Sequence, residues 1–284
     1  MAGEMTYLTF LKGLHGALRP RTYLEIGIRS GSSLALSRAR SLGIDPDFNL
    51  REPLACPLTL ARTTSDEYFS RPDPLAPLGG TPADLAFIDG MHLFEFALRD
   101  FINVERTARW SSAVVFDDVL PRQHDHAARD RHTRTWTGDV FKIVPVLRTY
   151  RPDLTLLLVD TAPTGLLVVL GLDPGSTVLR DEYDAIVAEQ VVPDPQVVPE
   201  EFLQRHGAVD PVALLRSPVW GALRRGRRHW ENREHVLREI SAALGDPSGY
   251  RRRRRHYRGV AARAVRGAVQ RSPVRPPAAV PPQR

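Results

Sequence analysis

Four residues within one stretch of this 284-residue chain have types and spacing suited to chemistry. Asp89 follows the apolar run LAFI, Asp117 and Asp118 follow AVVF, and His92 stands three residues past the first acid. Carboxylates brought close together repel one another unless protons or a cation relieve them. A set of oxygen donors favours a hard cation, Mg2+ or Mn2+. Histidine, with an ordinary pKa of about 6.5, changes charge near neutral pH.

The elements that must position these residues can be read from the same stretch. Leu85–Ile88 and Ala113–Phe116 are four-residue apolar runs rich in Val, Ile and Phe, which suits strands buried on both faces of a parallel sheet. Between them Phe94, Ala97, Leu98 and Phe101 recur at helical spacing and mark one apolar helix face. The connection is long enough for a parallel crossover, so both strands end at the same sheet edge. As neighbours their ends lie about 5 Å apart, and the three carboxylates then share one crevice with His92.

Upstream, Leu8, Leu11, Leu14 and Leu18 predict a lead-in helix over 5–18, ended by Pro20. Strands are expected at 23–27, 41–45 and 57–62, with a helix beginning in 31–37 and a helix cap at 64–66. Downstream, 127–135 reads as a polar mobile loop and 137–148 as a helix. Strands at 154–159 and 165–170 form a closing hairpin. His124, Asp125, His126 and His132 read as part of a solvated loop over the site, and Trp136, Gly138 and Asp139 as lining an acceptor pocket or as an ordinary helix start.

The segment Glu25-Ile26-Gly27-Ile28-Arg29-Ser30-Gly31 follows a strand. Glycine there lets backbone approach a ligand closely. Asp45 ends the next strand, twenty residues after Glu25, where a carboxylate can accept from both hydroxyls of a ribose. The nicotinamide fingerprint needs a middle glycine, and Arg29 stands there instead. An acid at Glu25 suits a cation such as a sulfonium–amino acid better than a diphosphate.

Acid-x-Gly after strand one, an acid ending strand two, an acid after strand four and a closing antiparallel hairpin together resemble a class I S-adenosylmethionine-dependent methyltransferase, over roughly residues 5–172. The nearer resemblance is to the metal-dependent small-molecule O-methyltransferases of the catechol and macrolide-sugar kind. It implies an α/β, doubly wound, Rossmann-like sheet of seven mostly parallel strands in the order 3-2-1-4-5-7-6, with strand seven antiparallel. It implies Asp89, Asp117 and Asp118 as ligands of Mg2+ or Mn2+, and His92 as the base. S-adenosylmethionine would be held by Glu25, Gly27, Gly31 and Asp45 at its methionine and ribose ends and by Ser65 and Asp66 near its adenine, with Asp89 counted in both sets. The acceptor would be a hydroxyl of a small molecule or sugar. Arg29 departs from the family's glycine pattern.

Charge divides the chain. Residues 201–284 hold 19 arginines and 6 acids, net +13, against 20 bases and 27 acids in 1–200, net −7. Three segments are expected: a methyltransferase-like domain at 1–192, a linker and helical extension at 193–245, and an Arg- and Pro-rich tail at 246–284 whose composition predicts disorder. The tail raises an alternative, a nucleic-acid-binding or RNA-modifying protein, or contact with an anionic surface. A nicotinamide-dependent oxidoreductase is the other alternative, disfavoured by Arg29 and the hairpin. Cys56 is the only cysteine, which excludes a disulfide within this chain and fits a reducing compartment. With no signal-peptide pattern and no membrane span, the expectation is cytoplasmic.

Overall fold

In a computed structural model, the structure describes residues 4–227 and 233–245. The expected tail at 246–284 lies outside the described residues. Seven strands, β1 (Thr22–Ile26), β2 (Arg40–Ile44), β3 (Leu58–Ala61), β4 (Leu85–Ile88), β5 (Ala113–Phe116), β6 (Thr155–Val159) and β7 (Leu166–Leu170), form one sheet. Their order is β3-β2-β1-β4-β5-β7-β6, with β7 antiparallel to both neighbours and the other pairs parallel. This is the fold class and strand order expected from the sequence. β4 pairs directly with β5, Ile88 opposite Phe116, so the acids that follow them leave the sheet side by side.

Ten α-helices accompany the sheet among the described residues: α1 (Tyr7–Leu18), α2 (Ser65–Phe69), α3 (Phe94–Arg106), α4 (Ile143–Tyr150), α5 (Val178–Asp181), α6 (Tyr183–Gln190), α7 (Glu200–Leu203), α8 (Pro211–Arg216), α9 (Val219–Gly226) and α10 (Arg233–Ala243). Alternate side chains of each strand face opposite layers. Leu24, Ile26, Ala86, Ile88, Val114, Phe116, Leu167 and Val169 pack with α2 to α7, including Phe101, Val144 and Phe202. Tyr23, Leu85, Phe87, Val115, Leu166 and Val168 pack with Phe10, Leu14 and Leu18 of α1, and with Trp220, Leu223 and Ile240 of α9 and α10. The second layer is therefore roofed by helices from the two ends of the described chain, not by crossovers between strands.

That arrangement corrects one expectation. No α-helix follows β1; residues 31–37 hold a single 3-10 turn, Leu34–Leu36. The serines there bond elsewhere, which competes with helix: Ser33 Oγ turns inward to Glu25 at 2.7 Å and Ser37 Oγ meets Ser41 Oγ at 2.9 Å. The helix expected from residue 137 begins later, a 3-10 turn at Val140–Lys142 leading into α4. Beyond β7 two short helices, α5 and α6, follow one another with only Glu182 between them. Val198 and Phe202 join the core beneath α4 to α6, so the segment after 193 packs on the sheet. No described helix is long and apolar enough to cross a membrane.

Candidate active site

The end of β4 and the end of β5 bring Asp89, His92 and Asp118 together. One ligand atom of each lies within 4.8 Å of the others. His92 Nδ1 is 2.7 Å from Asp118 Oδ2, and its Nε2 is 3.4 Å from Asp89 Oδ1. Both His92 (φ 57°) and Asp118 (φ 63°) occupy the left-handed region, a costly conformation for side-chain-bearing residues that clusters at functional sites. Asp117, expected as a third ligand, is not in this group. Its Oδ1 accepts from the Asp118 backbone N–H at 2.9 Å and thereby braces the turn. His92 stands between the other two carboxylates instead.

Electrostatics follow from this crowding. Burial, then Asp118 and Glu25, push the Asp89 carboxyl well above its ordinary range. Burial, then Asp118 and Asp89, do the same for Asp117. Burial works against the His92 imidazolium, but the Asp118 carboxylate beside it, with Asp117 behind, outweighs that and holds the proton more tightly than usual. A cluster held this way is poised to exchange protons for a cation. The two carboxylates are oxygen donors of the kind a hard divalent ion takes.

The loop expected to be mobile is pinned over this cluster. Trp136 stacks on His92 with ring centroids 5.0 Å apart and planes at 12°, and its Nε1 donates to the Ala128 carbonyl. Arg129 reaches Glu95 at 2.5 Å and the fully buried Asp139 at 2.7 Å. The backbone N–H groups of Arg129 and Asp130 donate to Asp194. Gly138, with φ 54°, passes so close to His92 that a Cβ there would stand 1.6 Å from the His92 carbonyl oxygen. His124 accepts from the Val198 N–H and His132 Nε2 pairs with Asp125 at 2.7 Å, so both serve the loop.

The glycine turn abuts the same crevice. A Cβ on Gly27 (φ 88°) would sit 1.9 Å from the Asp89 carbonyl oxygen, so only glycine lets the end of β1 lie against the end of β4. Strand order reverses between β1 and β4, and open α/β sheets bind ligands outside such a switch point. Gly31 (φ 81°) packs against Leu50. Asp45, expected to face a ribose, spends its carboxylate on the turn: Oδ2 accepts from the N–H groups of Ile28 and Arg29 at 2.7 and 2.8 Å, and Oδ1 from Asp47 at 2.7 Å.

Glu25, expected to face a cationic ligand, is instead fully buried beneath the turn. It accepts from Tyr23 Oη at 2.6 Å and Ser33 Oγ at 2.7 Å. Burial pushes its carboxyl up to about 7 from the usual 4.5, against those two hydrogen bonds. The unfolded chain loses this proton first, so stability falls as pH rises between about 4.5 and 7. The full effect is roughly 3 kcal/mol above that window. Glu25→Gln is expected to flatten that part of the slope, read as urea midpoints at pH 5 and pH 8. An unchanged difference between the two midpoints contradicts the assignment.

Ser65 and Asp66 are not brought to the cluster. The Ser65 hydroxyl bonds Asp100, and Asp66 pairs with Arg99 at 2.8 Å. Asp66 lines a separate cleft of about 450 Å³ with Arg99, Arg106, Arg180 and Tyr183, which includes none of Gly27, Asp45 or Asp89. One residue of the crevice, and one within reach of its charge, escape sequence reading. Asp100 on α3 is buried and lies behind Gly90, with burial and then Asp66 pushing its carboxyl up to about 7. Tyr7 opens α1, and burial followed by the charges of Asp117, Asp89 and Asp118 raises its phenol far above the usual value. The α1 start is docked here because Tyr7 N–H donates to the Ala162 carbonyl.

No protein-family model matches the chain, and no curated protein matches it in sequence. Solved structures do show likeness. Cofactor-bound Rv0187 from MTB is 20% identical, covering 57% of this chain and 78% of its own, with a TM-score of 0.43. The O-methyltransferase TomG from Streptomyces achromogenes, involved in tomaymycin synthesis and solved with SAM, is 21% identical over 58% of this chain and 79% of its own, TM-score 0.42. The O-methyltransferase from Bacillus cereus in complex with SAH is 14% identical over 60% and 84%, TM-score 0.40. At such scores the chain's own residues must carry its chemistry.

Proposed function

We propose that this chain transfers a methyl group from S-adenosylmethionine to a hydroxyl of a small molecule or sugar, assisted by a divalent cation. The observation that carries this reading is the convergence of Asp89, His92 and Asp118 beside the switch point between β1 and β4. Asp89 and Asp118 would hold Mg2+ or Mn2+, with Asp117 bracing them. When bound, the cation would supply a Lewis-acid contact that lowers the acceptor hydroxyl's pKa. His92 keeps Nδ1 against Asp118, which orients the ring, and leaves Nε2 to take the acceptor's proton. Trp136, stacked on the imidazole, fixes the plane of the ring and shields one face from water. The Gly27 turn and Asp89 would hold the cofactor, which would supply the methyl group. Methyl transfer is an in-line displacement, so positioning supplies much of the rate. Gly31 and Asp45 shape that turn, and Glu25 supports it from below.

Titration with S-adenosylmethionine is expected to raise the unfolding temperature, more so with Mg2+ or Mn2+ present, whereas NAD leaves it unchanged. His92→Ala is expected to cut turnover about 100-fold or more while cofactor affinity stays near the parent value. Stabilisation by NAD alone, or equal loss of turnover and cofactor affinity in His92→Ala, would count against this reading.

A further inference from the structure

The His92 side of the crevice carries a cation for which the proposed methyl transfer has no task. Several arginines of this rim are matched by acids: Arg62 with Asp47, Arg122 with Glu4, Arg129 with Glu95 and Asp139, Arg205 with Asp160. Arg131 is not. Its guanidinium carbon lies 5.6 Å from the Trp136 ring centroid, and Trp136 is itself stacked on His92 at 5.0 Å. Those two distances keep the guanidinium within a small molecule's length of the imidazole. Its charge is felt there: burial and then Arg131 act against the His92 imidazolium, with Asp118 and Asp117 opposing. The acids around the loop are engaged elsewhere. Asp125 pairs with His132, Asp139 with Arg129 and Lys142, and Asp194 accepts from the Arg129 and Asp130 N–H groups. Among the described residues neither these acids nor Asp130 forms an ion pair with Arg131, which is exposed.

We propose that Arg131 selects an acceptor that carries an anionic group, a carboxylate or a phosphate, besides the hydroxyl to be methylated. This rests on the methyl-transfer reading and names its acceptor class. The crevice is polarised. Asp89, Asp117 and Asp118 gather at the strand ends and disfavour an anion, whereas Arg131, beside the Trp136 ring, attracts one. An acceptor with its anion toward Arg131 and its hydroxyl toward His92 meets both ends. A guanidinium presents a planar fork of donors that matches carboxylate and phosphate oxygens. Held near an aromatic ring it is already attracted to one place, so less freedom is lost when a ligand binds. A neutral sugar or phenol gives this group nothing to hold.

The test is calorimetric binding to the full chain, at constant Mg2+, of two matched pairs: protocatechuate against its amide, and glucose phosphate against glucose. At least one anionic member is expected to bind about tenfold tighter than its neutral partner, the scale of a charge-assisted contact. Which pair responds tells carboxylate from phosphate. Arg131→Gln should abolish the preference, and Arg134→Gln, at an exposed arginine of the same loop, should leave it. The ratio within a pair is the readout, because a displaced Trp136 weakens both members alike. Three results overturn the proposal: no anionic member outbinds its neutral partner, the preference survives Arg131→Gln, or Arg134→Gln removes it equally. Stabilisation by S-adenosylmethionine, read on the same samples, separates the two readings. If it is present without an anion preference, only the acceptor class is lost; if it is absent, methyl transfer itself is.

Discussion

Asp118→Asn is expected to lower turnover by about 100- to 10,000-fold, the range for loss of general acid–base catalysis, with the fold intact. Asparagine has the shape of aspartate and tolerates the left-handed backbone (φ 63° at this position) better than most residues. What it lacks is the charge that faces His92 Nδ1 at 2.7 Å. Without that charge the His92 pKa falls, because Asp118 is what raises it against burial. The acid limb of the pH–rate profile should move to lower pH while the plateau drops, since a weaker base deprotonates less effectively. The same change removes one oxygen of the cation group, so stabilisation by Mg2+ should disappear. Parent-level turnover in Asp118→Asn would remove His92 and Asp118 from the reaction together.

Gly138→Ala should be nearly as damaging, for a reason that has nothing to do with charge. The left-handed φ of 54° costs an alanine about 1 kcal/mol. The larger effect is the clash, 1.6 Å from Cβ to the His92 carbonyl oxygen, with no flexible side chain to yield. Either the loop carrying Trp136 lifts or the His92 backbone shifts, and the stacked rings separate. A displacement near 1 Å at a reacting group costs about 100-fold in rate. Gly80→Ala is the control: its φ is 65° and nothing lies within 4 Å of the added carbon. It should lose only about 1 kcal/mol of stability and retain full turnover. Steady-state kinetics, with Trp136 fluorescence as a reporter of the stack, distinguish the two. Similar kinetics for both variants would mean that the loop does not position His92.

The chemistry-bearing acids were legible because β4 and β5 are short, wholly apolar and buried on both faces, a pattern that few other elements share. Strand bounds there agree residue for residue. The neighbours of those acids were less legible. Glu25 and Asp45 sit at recognisable spacing, but spacing does not say whether a carboxylate faces a ligand or its own backbone. Asp45 meets the Ile28 and Arg29 amides, and Glu25 turns inward to Tyr23 and Ser33. The loop after β5 looked solvated from its polar composition, yet Glu95 and Asp194, from distant parts of the chain, tie down its Arg129. Tyr7 feels the charge of the three aspartates because Thr6 beside it pairs with Ala162 of the β6–β7 turn. Contacts of that range leave no local periodicity to read.

The roof over one sheet face is shared between α1 and the helices α8 to α10. During synthesis this matters: the first helix emerges with its apolar stripe and the sheet beneath it half covered, and completion waits until roughly residue 243 has cleared the ribosome. Until then Trp220 and Ile240 have not arrived, and Phe87, Val115 and Val168 are left as sticky surface, the state in which nascent chains aggregate or recruit chaperones. Ribosome-stalled chains cut short before α9 should therefore be captured by holdases, and those extended past α10 released.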